Sequence, residues 1–168
     1  MTPASAGTTT LALNVNSEPR QVSVSASTLL MDALREGLGL TGVKHGCGTG
    51  DCGSCTAIVD GQAVTTCLIY AAECDEAAIV TPEQVAESSR GRILLEEFVA
   101  AGAVQCGICI PGFIVQAAAV LDELGLEPAP AEVKDALAGN ICRCTGYYPI
   151  ITAVTAAAAR LAAGGGAS

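Results

Sequence analysis

The cysteines constrain this 168-residue chain more than any other feature of its sequence. There are nine, and eight of them form two groups, one in each half of the chain. An odd number of thiols without a secretory signal disfavours a disulfide framework, whereas clustered thiols in a reducing compartment more often bind metal or perform redox chemistry. The fold is therefore expected to be organised around metal-binding thiols: Cys47, Cys52, Cys55 and Cys67 in the first group, Cys106, Cys109, Cys142 and Cys144 in the second, with Cys74 left over.

The first group has the spacing of a plant-type [2Fe-2S] site. Cys47, Cys52 and Cys55 read Cys-x4-Cys-x2-Cys, and Cys67 follows after eleven intervening residues in a segment predicted to be a strand. Two bridged irons need four thiolates on two tetrahedra, so three come from one tight loop and the fourth from a neighbouring element. The glycines of this loop allow positive φ and let backbone N–H groups approach the sulfurs. A structural zinc site, the alternative, usually presents its cysteines as two separated short knuckles.

The second group is ambiguous when taken alone. Cys106-x2-Cys109 has the spacing of one helical turn, and Cys142-x-Cys144 can point the same way in a turn or extended segment. Zinc, a second [2Fe-2S] cluster and a redox dithiol all remain open, although a thioredoxin-type dithiol would need a βαβ context that the sequence lacks. Cys74 is expected to be a small buried apolar residue, and His45, the only histidine, a loop residue without a ligand role.

The pattern of apolar residues changes between residues 80 and 90. Alternation before this point predicts strands and two hairpins, with Asn16-Ser17-Glu18-Pro19 and Asp60-Gly61 as turns. Helical periodicity after it predicts an all-helical half. The predicted strands cover residues 10–15, 21–25, 56–59, 63–69 and 77–81; the predicted helices cover 28–37 (capped by Thr28), 93–101, 113–124, 131–138 and 150–163; loose ends are expected at 1–8 and 164–168.

Net charge and composition limit which binding partners and which cellular location are expected. The net charge of −9 disfavours nucleic acid and anionic membranes, which select basic surfaces. Charged residues make up only 15% of the chain, against about 25% in typical domains, so part of the surface is expected to be covered by a partner. The apolar stretches are interrupted by Gln116, Asp122, Glu123 and Arg160, so no transmembrane helix is predicted, and without a signal peptide the expected location is the cytoplasm.

Taken together, the two cysteine groups resemble the iron–sulfur subunit of the xanthine oxidase family of molybdenum hydroxylases. The order and separation of the motifs match over roughly residues 10–160. One departure is Ile110, where a threonine is common. The resemblance is carried by three stretches: Gly46-Cys47-Gly48-Thr49-Gly50-Asp51-Cys52-Gly53-Ser54-Cys55, Gln105-Cys106-Gly107-Ile108-Cys109-Ile110-Pro111-Gly112, and Gly139-Asn140-Ile141-Cys142-Arg143-Cys144-Thr145-Gly146-Tyr147.

The resemblance implies an α+β chain with two cluster-binding domains. A β-grasp, plant-type ferredoxin domain (residues 9–82) would hold one [2Fe-2S] cluster through Cys47, Cys52, Cys55 and Cys67. A four-helix domain (residues 83–163) would hold a second cluster, nearer the molybdenum, through Cys106, Cys109, Cys142 and Cys144. Gln105 and Cys144 would lie against the pterin of the molybdenum cofactor.

The resemblance also implies a function in electron transfer. The chain would pass electrons from the molybdenum cofactor of a large subunit to FAD on a medium subunit, in a heterotrimer that can dimerise, and would carry no substrate-transforming centre. Arg143, between two of the cysteines, is either a positive charge beside a cluster or a salt-bridge residue. A free two-cluster ferredoxin and a zinc-binding interaction module are the competing hypotheses.

Overall fold

The computed structural model describes residues 7–164, so the predicted loose ends lie almost wholly outside it. The first half forms a five-stranded mixed sheet in the order β2-β1-β5-β3-β4. β1 and β5 run parallel in its centre, and the other neighbours are antiparallel. The strands are β1 (Thr8–Val15), β2 (Glu18–Ser25), β3 (Thr56–Val59), β4 (Gln62–Thr65) and β5 (Ala78–Val80).

Both predicted hairpins are present, and each turns on two residues with positive φ. The values are 56° and 64° at Asn16 and Ser17, and 48° and 84° at Asp60 and Gly61. Such two-residue turns match the right-handed twist of the flanking strands. The first turn is tighter than predicted, because Glu18 and Pro19 already pair with β1.

A short helical segment packs on one face of this sheet. It begins as α1 (Leu30–Asp32) and continues as a wider π-helical turn over Ala33–Gly37. Leu30 and Leu34 are completely buried against the sheet core, and a helix covering one face of such a sheet is the β-grasp arrangement. The predicted Thr28 cap is wrong: its hydroxyl accepts a hydrogen bond from the Ser25 N–H at 3.0 Å and lies outside the helix.

The second half is helical, as predicted, and contains one short helix that the periodicity did not reveal. α2 has only six residues, too few to show a period, and Pro82 starts it at the position where proline favours a helix. The helices are α2 (Pro82–Glu87), α3 (Ser89–Ala100), α4 (Ile110–Leu124), α5 (Pro130–Ala136) and α6 (Tyr148–Gly164). The fold class is therefore α+β, as expected.

The two halves pack directly on each other. α4 lies against β3, and Ile58 and Val80 from the sheet contact the helical core around Phe98, Phe113 and Leu121. This packing brings the N-terminal end of α4 close to the loop that precedes β3. Along residues 7–164, no helix is both long enough and apolar enough to cross a bilayer.

Candidate metal centres

The first thiol group surrounds the loop between α1 and β3. Cys47 is exposed, Cys52 is half-buried, and Cys55 and Cys67 are buried. Cys67 does not lie in a strand, as the sequence predicted, but in a 3₁₀ turn over Thr66–Leu68 that follows β4. The buried hydroxyl of Thr66 donates to the Cys55 carbonyl at 2.8 Å, and this contact between separate segments holds the turn of Cys67 beside Cys55.

The four thiols of this group meet as two pairs. Cys52 is a neighbour of Cys47 and Cys55 is a neighbour of Cys67, and each neighbour shifts the pKa of its partner, while Cys67 also senses the charge of Cys47. Burial, followed by the neighbouring Cys55 thiol, raises the pKa of Cys67 to about 11, while a backbone hydrogen bond from Gly50 opposes this rise. The fold thus places the fourth thiol beside the loop that carries the other three.

Hydrogen bonds from the loop itself stabilise the Cys47 thiolate. The side chain and backbone of Thr49, followed by the backbone of Cys52, lower the pKa of Cys47 to about 6. The backbone N–H of Thr49 lies 3.4 Å from the Cys47 sulfur. The Thr49 hydroxyl, which also lies near this sulfur, donates its proton to the Asp51 carboxylate at 2.6 Å. These are the donors that stabilise negative charge on sulfur ligands.

The second thiol group lies at two helix boundaries. Cys109 immediately precedes α4, and Cys106 lies in the turn before it, so the pair does not occupy one face of a helical turn as its spacing suggested. Cys142 and Cys144 lie in the loop between α5 and α6. Cys109 and Cys142 are buried, whereas Cys106 and Cys144 are exposed.

These four thiols also meet as two pairs, each joining one cysteine from either boundary. The sulfurs of Cys106 and Cys144 are 3.6 Å apart, and Cys142 is the neighbouring thiol that acts on Cys109. Burial and then Cys142 raise the pKa of Cys109 to about 12. Burial also acts to raise the pKa of Cys142, but hydrogen bonds led by the Thr145 hydroxyl, 3.1 Å from its sulfur, lower that pKa overall.

The donor set suits a two-iron cluster at each place. A [2Fe-2S] cluster takes four cysteine thiolates, which is two for each iron, and each group offers four thiols as two adjacent pairs. Within residues 7–164, no three His, Cys, Asp or Glu side chains gather at one point as a single metal ion would require. All nine cysteines lie in that range and carry free thiols.

The remaining residues singled out from the sequence have simpler surroundings. Cys74 is buried in the sheet core, as expected of a small apolar side chain, and burial raises its pKa. His45 and Gln105 are exposed, and Ile110 is buried in the helical core. Arg143 is exposed and forms no ion pair within the described part of the chain, so the salt-bridge alternative finds no partner there.

Two charged residues that the sequence did not single out bind the backbone of residues 42 and 43, just before the first thiol-bearing loop. Arg35 donates to the Val43 carbonyl at 2.6 Å, and the Glu83 carboxylate accepts from the Gly42 N–H at 2.7 Å. At the base of the loop, the Lys44 N–H donates to the Ser54 carbonyl at 3.1 Å. Only the fold brings these distant side chains to the loop, and no local sequence signal marks them.

The two thiol-bearing loops are joined by two hydrogen bonds, which we call the loop clamp. The N–H of Ile141 donates to the Cys52 carbonyl at 2.9 Å, and Nδ2 of Asn140 donates to the Gly53 carbonyl at 3.0 Å. Cys52 belongs to the first thiol group, and Ile141 immediately precedes Cys142 of the second. The two candidate centres are therefore connected by a path of covalent bonds interrupted by one hydrogen bond.

Comparison with known protein families gives two adjoining matches. Residues 13–84 match the model described as "2Fe-2S iron-sulfur cluster binding domain". Residues 81–155 match the model described as "[2Fe-2S] binding domain". Each match contains one of the two thiol groups.

The similar proteins are subunits of oxidoreductases. The nicotinate dehydrogenase small FeS subunit of Eubacterium barkeri is 47% identical over 153 residues, which are 91% of this chain and 97% of that subunit. The xanthine dehydrogenase iron-sulfur-binding subunit of Escherichia coli O157:H7 is 40% identical over 148 residues, 88% of this chain and 92% of that subunit. In the crystal structure of quinoline 2-oxidoreductase from Pseudomonas putida 86, one chain superposes with a TM-score of 0.86 at 38% identity, covering 94% of this chain and 98% of that one.

Proposed function

Because this chain belongs to the iron–sulfur subunits of the xanthine oxidase family of molybdenum hydroxylases, we propose that it conducts electrons from a molybdenum cofactor on a large partner subunit to FAD on a medium one. It is an electron-transfer subunit of an oxidoreductase complex and holds two [2Fe-2S] clusters. When bound, each cluster supplies reversible one-electron transfer, which divides a two-electron oxidation into single steps. The observation that carries the proposal is the arrangement of eight thiols as two sets of two pairs, joined by the loop clamp.

The first group would hold the cluster on the FAD side. Cys47 and Cys52 would bind one iron and Cys55 and Cys67 the other, which the pairing of the thiols supports. Exposed Cys47 and Leu68, which is 61% exposed, leave this end of the chain open to a partner. The N–H of Thr49 would donate to the Cys47 sulfur and help set the potential.

The second group would hold the cluster nearer the molybdenum. Cys106 and Cys144 would share one iron, and Cys109 and Cys142 the other, again following the observed pairs. Cys109 and Cys142 are buried, whereas Cys106 and Cys144 are exposed, so the pair of Cys106 and Cys144 would lie nearest the partner. Gln105 and Cys144 would contact the pterin, and their exposure leaves them accessible to another subunit.

The surface around Cys106 and Cys144 has the properties of a contact with the proposed large partner. Apolar side chains around the exposed thiols are themselves open to solvent, with Ile108 at 50%, Ile141 at 48% and Tyr148 at 84% exposure. Exposed apolar groups beside polar ones are typical of surfaces that a partner covers. We propose a heterotrimer that can dimerise, located in the cytoplasm, where clustered free thiols stay reduced.

Metal analysis of the chain purified with its natural partners tests the proposal. We expect about four irons and four acid-labile sulfides per chain, and two distinguishable EPR signals after reduction. Zinc in place of iron, or a reduced sample without an EPR signal, would overturn the assignment of both sites.

A further inference from the structure

We propose that Asn140 is a positioning residue that fixes the separation of the two thiol-bearing loops and thereby sets the rate of electron transfer between them. The inference rests on the proposed function, because it requires both clusters to be present. It concerns a side chain that binds no metal and lies between the two sites.

Asn140 is a buried polar side chain, and such a side chain needs a hydrogen-bond partner. It is 4% exposed and is the only buried polar residue among the described residues of the helical half, 83–164. Its Nδ2 donates to the Gly53 carbonyl, 87 residues earlier in the chain, at 3.0 Å. A buried amide requires a partner, so this hydrogen bond ties the segment before Cys142 to the residue after Cys52.

At Gly53, the backbones of neighbouring segments lie so close together that no side chain fits between them. A Cβ added to Gly53, where φ is +66°, would lie 2.5 Å from Nδ2 of Asn140 and 2.6 Å from the Gly139 carbonyl oxygen. A Cβ added to Gly112 in the first turn of α4 would overlap the Gly53 carbonyl and lie 3.0 Å from Cα of Ser54. Three segments that each adjoin a metal-binding cysteine thus meet at Gly53.

The two hydrogen bonds of the loop clamp have different roles. The Ile141 N–H to Cys52 carbonyl bond lies on the covalent path between Cys52 and Cys142. The Asn140 bond lies beside that path and prevents the two loops from sliding or separating. Replacing the Asn140 amide with an ionised carboxylate would set an oxygen without hydrogen against the Gly53 carbonyl oxygen, which breaks this bond of the clamp without changing the side-chain shape. Because burial raises the pKa of a carboxyl group, the variant is measured at a pH where the acid is ionised and cannot donate in place of the amide.

The main test compares Asn140→Asp with two controls in the cluster-loaded natural complex. Thr56→Val removes a second hydrogen bond to the same Gly53 carbonyl, 2.6 Å long, that comes from within the first half. Asn16→Ala removes another asparagine that joins distant segments, through Thr81 at 2.9 Å, away from both thiol groups. The readouts are iron content, the spin–spin interaction between the two reduced clusters by EPR, and the rate of intercluster equilibration after flash photoreduction.

We expect Asn140→Asp to keep both EPR signals, to change their spin–spin splitting and to slow equilibration about tenfold, the lower end of the loss typical for residues that orient ligands. Thr56→Val and Asn16→Ala should leave the splitting and the rate at wild-type values, even where they lower the melting temperature. A purely structural role would lower the melting temperature of Asn140→Asp without altering the splitting. That result, or an equal effect of Thr56→Val, would overturn the proposal.

Two further measurements keep the test decisive if Asn140→Asp does not load both clusters. Asn140→Ser shortens the side chain without adding charge and is measured in the same way. In the wild-type complex, amide exchange followed by mass spectrometry should show Ile141 protected relative to residues 143–146, and fast exchange at Ile141 would refute the clamp. Absence of iron in the wild-type complex would instead overturn the proposed function.

Discussion

At the scale of single residues, the position of each thiol sets its protonation in the cluster-free chain. Cys47 is exposed and receives hydrogen bonds from Thr49, which favour the thiolate. Cys109 is buried beside another thiol, which favours the protonated form. Since only the thiolate binds metal, Cys47 would bind as it stands in its proposed ligand role, whereas Cys109 would have to lose a proton first.

This difference predicts the order of alkylation in cluster-free protein. Iodoacetamide attacks the thiolate, so Cys47, with a pKa of about 6, should be labelled rapidly at pH 7.5. Cys109, with a pKa of about 12, should remain unlabelled there. Peptide mass mapping over a pH series measures both residues, and labelling of Cys47 that begins only near pH 9 would contradict the prediction.

The raised pKa of Cys109 also has a consequence for stability. Its pKa is about 12 in the fold and 9.0 for an ordinary thiol, so the folded state holds this proton more tightly than the unfolded state. The resulting stabilisation is complete below pH 9 and is lost as the pH rises toward 12. Thermal melting of the cluster-free chain at increasing pH should show the decline, and Cys109→Ala should reduce it, leaving the part that the raised pKa values of Cys67 and Cys74 contribute.

Substitution of a single ligand separates the two sites. Cys106→Ser should remove the second cluster, leaving about two irons and one EPR signal, because only one thiol pair loses a member. Cys74→Ser is the matched control, since Cys74 lies in the sheet core and outside both groups, and it should retain about four irons. Loss of both signals in Cys106→Ser would mean that the sites do not form independently.

At the scale of elements, the first turn of α4 illustrates how packing overrides helix propensity. Replacing Gly112 with alanine would stabilise an isolated helix by about 1 kcal/mol. Here the added Cβ would overlap the Gly53 carbonyl, and overpacking typically costs about 1–3 kcal/mol. Contact with a neighbouring loop therefore determines the residue at this position of the helix.

We expect Gly112→Ala to destabilise the cluster-loaded chain by roughly 1–2 kcal/mol and to weaken iron retention, because the clash pushes the first loop away from α4. Gly139→Ala is the control, since a Cβ there meets no atom within 4 Å. Chemical denaturation followed by cluster absorbance gives both free energies. A Gly112→Ala variant as stable as wild type would show that the loop can move aside freely.

At the scale of the whole molecule, the surface around the exposed thiols is the expected contact with the large partner. Tyr148, at the start of α6, is 84% exposed although its ring is largely apolar. Tyrosines of this kind commonly provide a large share of the binding energy at interfaces. The opposite end of the helical half offers a comparison in Leu124, which is 39% exposed at the C-terminal end of α4.

Tyr148→Ala should therefore weaken association with the large subunit by about tenfold or more, while both clusters stay in place. Leu124→Ala should leave association unchanged, because it lies at the end of α4 remote from Cys109. Affinity between separately prepared subunits, measured by titration, distinguishes the two variants. Equal affinities for Tyr148→Ala and wild type would place the partner on a different surface.

The sequence alone determined what depends on neighbouring residues. The two hairpins and the change from strands to helices were predicted correctly, because turn formation and periodicity are local. The Asp60-Gly61 turn lies where it was predicted, whereas the turn predicted over Asn16-Ser17-Glu18-Pro19 is confined to its first two residues. The predicted four-helix half lacked α2, whose six residues are too few for a periodic signal. The assignment of each thiol to its cluster stays a prediction, which the experiments above test.

Only the tertiary structure decided how the local pieces meet. It moved Cys67 from a predicted strand into a 3₁₀ turn beside Cys55, and it brought Cys106 and Cys144 together from separate loops. It also brought Asn140 to Gly53 across 87 residues of sequence. Such contacts arise from packing two cores together, and the free energy that selects them is spread over many distant side chains, so no spacing within the sequence encodes them.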